Sequence, residues 1–203
     1  MKIFCIGRNY VEHIEELKNE RPDEPVVFMK PDSALLRKNR PFYIPSFASE
    51  FHHEIELVLK IDGVGKNISK RFAPRYYSSI GLGIDFTARD LQEKLKQKGL
   101  PWEKAKAFDF SSVISERFLP LSDFGNDPVQ FRLDINGETR QMGSSAQMIF
   151  SFDELVSHIS KYFTLKTGDL IYTGTPAGVE PVKIGDRLQG YIGEEKLFDF
   201  LVK

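Results

Sequence analysis

Short apolar runs, separated by glycine, proline and charged residues, constrain the fold of this chain most strongly. They recur along the whole sequence, at residues 3–6, 26–29, 34–36, 42–44, 53–61, 80–86, 131–135 and 169–172. Runs of this length are typical of strands, and here they do not alternate regularly with helical segments as in a doubly wound sheet. The pattern therefore predicts an α+β fold that is rich in short strands and has a few helices.

Helical periodicity is confined to a few segments. Residues 10–17 have an amphipathic pattern, and residues 87–98 have another, which Thr87 could cap at its N-terminus. A third helix is predicted to begin after Ser151, because Ser151 and Glu154 have the spacing of a capping box. Asn136-Gly137 is a strong hairpin-turn signal, so residues 131–142 are predicted to form an antiparallel hairpin.

The composition is that of an ordinary globular protein. Of the 203 residues, 41% are hydrophobic, and 28 basic residues nearly balance 29 acidic ones. This balance disfavours a nucleic-acid partner, and the length fits a single domain over residues 1–203. The only cysteine, Cys5, lies in the first apolar run, which is too short for a signal peptide or a membrane span. We therefore expect a cytoplasmic protein with a buried thiol.

Three carboxylates interrupt the apolar runs. Glu54 and Glu56 are two residues apart, so on a strand they would project from one face with Cα atoms about 7 Å apart. A solvated sheet face would also explain them, because glutamate is usually exposed. Asp85 lies near the end of the run at residues 80–86, where it would need a partner if buried, or could begin the following helix. If the three converge, their oxygen atoms favour Mg2+, Mn2+ or Ca2+ over zinc.

Further candidates are weaker when taken alone. His13 and Glu16 are three residues apart on the first predicted helix, where a carboxylate can orient a histidine that activates water. A surface histidine is the alternative. Lys106 could stabilise an oxyanion, although a lone lysine in a loop is usually solvated. Residues 173–179 offer hydroxyl and amide groups after a strand, and they could hold a carboxylate or simply form a turn.

Five motifs follow one another along nearly the whole chain. They are Gly7-Arg8-Asn9-Tyr10 with His13, Phe28-Met29-Lys30-Pro31, Glu54-Ile55-Glu56-Leu57, Asp85-Phe86-Thr87-Ala88-Arg89-Asp90 and Thr173-Gly174-Thr175-Pro176. Each is short, but the set in this order resembles the fumarylacetoacetate hydrolase family. Gly99-Leu100-Pro101-Trp102 before Lys106, and the close spacing of His13 and Glu16, are most similar to its acylpyruvase and oxaloacetate decarboxylase branch.

The resemblance implies a mixed β-sandwich roll, a homodimer and a bound divalent metal, Mg2+ or Mn2+. The metal ligands that it implies are Glu54, Glu56 and Asp85. It assigns His13 and Glu16 to a water-activating dyad on a lid helix at about residues 9–18, and Lys106 to charge stabilisation. Around the substrate it places Arg8, Lys30, Arg89, Gln92 and Thr175.

The resemblance also implies the reaction. A small keto acid of the acylpyruvate type would be cleaved by water at a carbon–carbon bond, which yields a carboxylate and pyruvate, and oxaloacetate could be decarboxylated at the same site. One alternative keeps the fold and the metal but isomerises or decarboxylates acids such as 2-hydroxyhepta-2,4-diene-1,7-dioate. Another alternative is a catalytically silent scaffold of the same fold.

Overall fold

The structure, a computed structural model, describes residues 1–12 and 21–203. The α-helices whose bounds it gives are α1 (Arg89–Gln97), α2 (Glu103–Lys106) and α3 (Phe152–Tyr162). The strands are β1 (Ile3–Gly7), β2 (Val26–Lys30), β3 (Leu35–Leu36), β4 (Phe51–His52), β5 (Ile55–Ile61), β6 (Tyr77–Asp85), β7 (Thr87–Ala88), β8 (Ser112–Ile114), β9 (Leu119–Pro120), β10 (Gln130–Ile135), β11 (Glu138–Ser144), β12 (Leu170–Tyr172), β13 (Arg187–Ile192) and β14 (Glu195–Leu201). Short 3-10 helices lie at Asp32–Ala34, Lys70–Tyr76, Leu121–Phe124 and Ser145–Gln147.

The larger sheet is mixed. Its strands follow the order β2-β1-β12-β5-β6-β8-β3, and β9 pairs with β6 beside this path. The pairs β1–β12 and β3–β8 are parallel, whereas the other neighbouring strands are antiparallel. The result is the strand-rich α+β fold that the sequence predicts.

The smaller sheet is antiparallel, with the order β11-β10-β13-β14. The hairpin predicted at residues 131–142 is confirmed, because β10 and β11 pair around Asn136-Gly137. Both turn residues have a positive φ, 54° at Asn136 and 86° at Gly137, as a tight hairpin turn requires.

Strand β5 is buried on both of its faces. Ile55, Leu57 and Leu59 belong to the main core, which includes apolar side chains of both sheets. Val58 points the other way, into a smaller cluster that also contains Cys5, so the predicted burial of the thiol is confirmed. A strand covered on both sides can carry polar groups only where they have partners or line a cavity. This is the environment that Glu54 and Glu56 meet.

Glycine is required where β6 passes the ring of Tyr172. A Cβ atom on Gly83 would lie 2.5 Å from a carbon of that ring and 2.6 Å from the carbonyl oxygen of Val113. The apolar run of β6 therefore contains glycine because the neighbouring strands approach too closely for any side chain.

Two local predictions are wrong. The strand predicted at residues 42–44 is reduced to a single bridge between Phe42 and Val202. Thr87 does not cap α1: it pairs with His52 in β7, and Ala88 occupies the N-cap position. Thr87 instead belongs to a strand, where its hydroxyl contacts the carbonyl oxygen of Asp85.

The helix predicted after Ser151 is confirmed. The carboxylate of Glu154 accepts hydrogen bonds of 2.8 Å from both the backbone N–H and the hydroxyl of Ser151. In the helix predicted at residues 10–17, Tyr10 instead forms an isolated bridge with Met148, Val11 and Glu12 are helical, and residues 13–17 lie outside the described residues. Within residues 1–12 and 21–203, no helix is long and apolar enough to cross a membrane.

Candidate functional site

The three carboxylates singled out in the sequence lie together. Glu54, Glu56 and Asp85 each offer an oxygen atom within 4.8 Å of the others, and all three side chains are buried. The antiparallel pairing of β5 with β6 causes this, because it sets Glu56 beside Gly83 and directs the Asp85 N–H to the carbonyl oxygen of Glu54 at 2.8 Å. The triad is therefore a product of strand register. Neither a solvated sheet face nor a helix-initiating aspartate describes these residues.

Three cationic side chains contact the triad. The ammonium Nζ of Lys106 lies 2.6 Å from Oε2 of Glu54 and 2.9 Å from Oδ2 of Asp85. Arg89 reaches Oε1 of Glu54 at 2.5 Å, and Nζ of Lys30 reaches Oδ1 of Asp85 at 2.5 Å. Lys106 is only 4% exposed, so it is not the solvated loop lysine that its sequence context permitted.

Burial and neighbouring charges shift the proton affinities at this site. The pKa of Glu56 is raised well above its ordinary value by burial and by the negative charges of Asp85 and Glu54. For Lys106, burial opposes the charged form, but the adjacent carboxylates of Asp85 and Glu54 outweigh it and raise the pKa. The site therefore holds a protonated lysine among carboxylates that repel one another.

A tight turn after β12 closes one side of the site. The backbone N–H of Gly174 donates a hydrogen bond of 2.7 Å to Oε2 of Glu56. Gly174 has a φ of 102°, and a Cβ atom there would lie 2.8 Å from the Cβ of Asn9. The glycine thus allows the turn to approach both the carboxylate and Asn9, and it brings Thr175 to the cavity.

Gln141 connects this turn to the ligand strand. Its Oε1 accepts hydrogen bonds from the backbone N–H of Ile55, between the two glutamates, and from Nδ1 of His53 at 2.8 Å. Its Nε2 donates to Oγ1 of Thr175 and to the carbonyl oxygen of Pro176, both at 2.9 Å. Sequence reasoning missed Gln141. The available signal was a polar residue at an inward position of the hairpin strand.

A cavity opens beside the triad. Water-accessible space of about 40 Å³ lies within it, more than the roughly 10–15 Å³ that one water molecule needs. Of the residues predicted around the substrate, Arg8, Arg89, Gln92 and Thr175 line the cavity together with the triad and Lys106. Lys30 instead contacts Asp85 and Ser111.

The cavity has an aromatic wall that the sequence analysis did not assign. Phe28 and Trp102 line it and form an edge-to-face pair with ring centroids 6.2 Å apart. Lys96, also unassigned, lines the same cavity from α1. His13 and Glu16, together with most of the predicted lid helix at residues 9–18, lie outside the described residues.

Comparison with known proteins identifies the family. Residues 2–197 match the family model for the fumarylacetoacetate (FAA) hydrolase C-terminal domain. The chain belongs to the fumarylacetoacetate hydrolase family. Within the family it is similar to oxaloacetate tautomerase YcgM of Escherichia coli, at 43% identity over 189 residues that cover 92% of this chain and 86% of that protein.

Solved structures of fumarylacetoacetate hydrolase family members share the fold. Fumarylpyruvate hydrolase from Pseudomonas aeruginosa, in complex with Mn2+ and pyruvate, has a TM-score of 0.92 and 36% identity, covering 100% of this chain and 89% of that one. The 2-hydroxyhepta-2,4-diene-1,7-dioate isomerase from Mycobacterium marinum has a TM-score of 0.84 and 33% identity, covering 99% and 73%. The relatives named here are thus enzymes of different reaction types on one fold.

Proposed function

We propose that this chain is a divalent-metal-dependent enzyme that acts on a small α-keto acid, with Mg2+ or Mn2+ held by Glu54, Glu56 and Asp85. The observation that carries the proposal is the buried triad with oxygen atoms within 4.8 Å of one another. Hard carboxylate oxygens suit these two ions. Burial raises the pKa of Glu56, repulsion by Asp85 and Glu54 raises it further, and a cation would offset that repulsion. A catalytically silent scaffold would have no need of such a cluster.

The cavity residues supply positive charge and hydrogen bonds to the substrate. When bound, the metal acts as a Lewis acid that favours negative charge on the oxygen of a neighbouring keto group. Lys106, a protonated ammonium 4% exposed, stabilises the same developing charge. Arg89 and Arg8 attract carboxylate groups of the substrate, since guanidinium groups match carboxylate geometry. Thr175 accepts a hydrogen bond from Gln141, so its hydroxyl hydrogen can be donated to a substrate oxygen.

Among the family's reactions, enolisation of oxaloacetate is the one that the described residues support best. It requires a cationic pocket that withdraws charge from the keto group, which Arg8, Arg89 and Lys106 supply, and a base that takes the C3 proton while the keto oxygen gains one. The name of the Escherichia coli relative, oxaloacetate tautomerase, supports the same choice. Decarboxylation of oxaloacetate would draw on the same stabilisation of an enolate.

Hydrolysis of an acylpyruvate is the second candidate, favoured by the similarity to fumarylpyruvate hydrolase. It requires, in addition, that the base activate a water molecule for attack on the distal carbonyl group. We assign this role to His13 oriented by Glu16, as the family resemblance implies. The Mycobacterium marinum relative is named as an isomerase of a hydroxydiene diacid. Such an isomerisation would not require attack by water.

The proposal is tested with metal-stripped protein that is then supplied with Mg2+ or Mn2+. Keto–enol exchange of oxaloacetate is followed by ultraviolet absorbance, and pyruvate release is measured with oxaloacetate and with acetylpyruvate. We expect metal-dependent turnover that disappears in Asp85→Asn and persists in Asp109→Asn, a matched change at an exposed aspartate. Full activity of Asp85→Asn, or of the metal-free protein, would contradict the proposal. The relative rates of keto–enol exchange and of pyruvate release from each substrate select among the candidate reactions.

A further inference from the structure

Among the described residues, the cavity carries more positive charge than the triad balances. Lys30, Lys106 and Arg89 contact Glu54 and Asp85, and their three positive charges equal the three formal negative charges of the triad. Arg8 and Lys96 also line the cavity, and neither forms an ion pair with another residue in the described parts of the chain. A bound divalent cation would add to this excess. The ligand that fits such a cavity is therefore an anion with more than one negative charge.

Helix α1 determines where one of the surplus charges lies. Arg89, Gln92 and Lys96 are spaced i, i+3 and i+7, so they lie on the same helical face, and all three line the cavity. Arg89 contacts Glu54, and Gln92 accepts a hydrogen bond of 2.7 Å from Arg89. Lys96 follows about 10 Å further along the helix axis than Arg89, away from the triad end.

The surroundings of Lys96 favour an anionic partner. Its Nζ lies 5.5 Å from the ring centroid of Trp102, which keeps the ammonium at the aromatic wall of the cavity. Burial lowers the pKa of Lys96, and the positive charges of Arg89 and Arg8 lower it further. A carboxylate placed between these cations would relieve their repulsion.

We propose that Lys96, together with Arg8, forms a subsite for the second carboxylate of a dicarboxylic α-keto acid, and that Lys96 determines the preference for such acids over monocarboxylic ones. The inference rests on the proposed function, because it takes the first carboxylate and the keto group to lie at the triad. It makes Lys96 a specificity-determining residue of the same site.

Ligand binding tests this without relying on turnover. Dissociation constants of pyruvate and of α-ketoglutarate, which have one and two carboxylates, are measured by calorimetry on Mn2+-loaded protein. In Lys96→Gln we expect the affinity for α-ketoglutarate to fall about 10-fold or more, as for a lost charge-assisted hydrogen bond, and that for pyruvate to change less than about 2-fold. Lys96→Arg should retain the dicarboxylate preference.

Lys94→Gln is the matched control, because Lys94 is an exposed lysine of the same helix that does not line the cavity. It should leave both dissociation constants unchanged. An equal loss for both ligands in Lys96→Gln, no loss for either, or no dicarboxylate preference in the unaltered protein would each overturn the inference. Protein that binds α-ketoglutarate through Lys96 but does not turn over any substrate would refute the proposed function and leave the subsite standing.

Discussion

At Lys106, a single ammonium group contacts two of the three carboxylates. Its distances to Glu54 and Asp85, 2.6 and 2.9 Å, are those of charge-assisted hydrogen bonds. Because the lysine is nearly fully buried, removing its charge would leave Glu54 and Asp85 with one cation fewer in a medium of low polarity.

For Lys106→Met we expect two effects. The free energy of unfolding of the metal-free protein should fall by about 3–5 kcal/mol, as when one partner of a buried ion pair is removed. The kcat of the metal-loaded enzyme should fall by roughly 100-fold, as when one group that stabilises an oxyanion is lost. Urea titration measures the free energy of unfolding, and steady-state kinetics measure kcat. Lys104→Met, at an exposed lysine of the same helix, is the control. An unaltered kcat would exclude Lys106 from the reaction.

At the scale of secondary-structure elements, the hairpin of β10 and β11 positions two other elements of the site. Through Gln141 it binds the start of β5 and the turn after β12 at once. Both elements contribute to the site: β5 carries Glu56, and the turn donates the Gly174 N–H to that same carboxylate. The hairpin thus fixes the relative position of a ligand strand and the turn that closes the cavity.

Gln141→Leu should therefore weaken Mn2+ binding by about 10–100-fold, the range for loss of a residue that orients metal ligands. Circular dichroism should remain that of a folded protein, because leucine is similar in size. Met142→Leu alters the next side chain, which is exposed on the other face of the strand, and should leave the affinity unchanged. Equal Mn2+ affinity in Gln141→Leu and the unaltered protein would show that the hairpin does not position the ligands.

For the molecule as a whole, metal binding should be linked to folding. The triad exists only when β5 and β6 are paired, so the unfolded chain cannot present it. A ligand that binds only the folded state stabilises it in proportion to the logarithm of its concentration.

At a free Mn2+ concentration 100 times its dissociation constant, we expect about 2.7 kcal/mol of added stability. For a chain of this length, this corresponds to a rise in Tm of roughly 5–10 °C. Differential scanning calorimetry of chelator-treated protein, with and without Mn2+, measures the shift. Asp85→Asn should show only a small rise in Tm with Mn2+, and a rise equal to that of the unaltered protein would locate the bound metal elsewhere.

The single domain, the homodimer and the cytoplasmic location stay predictions from the sequence.

The sequence by itself determined the features that depend on a few neighbouring residues. The strands at residues 3–6 and 80–86, the Asn136-Gly137 hairpin and the helix after Ser151 follow from side-chain periodicity and from turn and cap chemistry, which act over short distances along the chain. Family motifs selected the candidate residues in the same way, by their identity and order.

Only the tertiary structure decided which of these residues meet. Glu54 and Asp85 are brought together by strand register, and Gln141 reaches Ile55 from a hairpin 86 residues further along the chain. The burial of Lys106 and the arrival of Lys96 at the cavity likewise depend on how α1 and α2 pack near the sheet. Local patterns do not contain this information, because charges converge only where long-range packing buries them side by side.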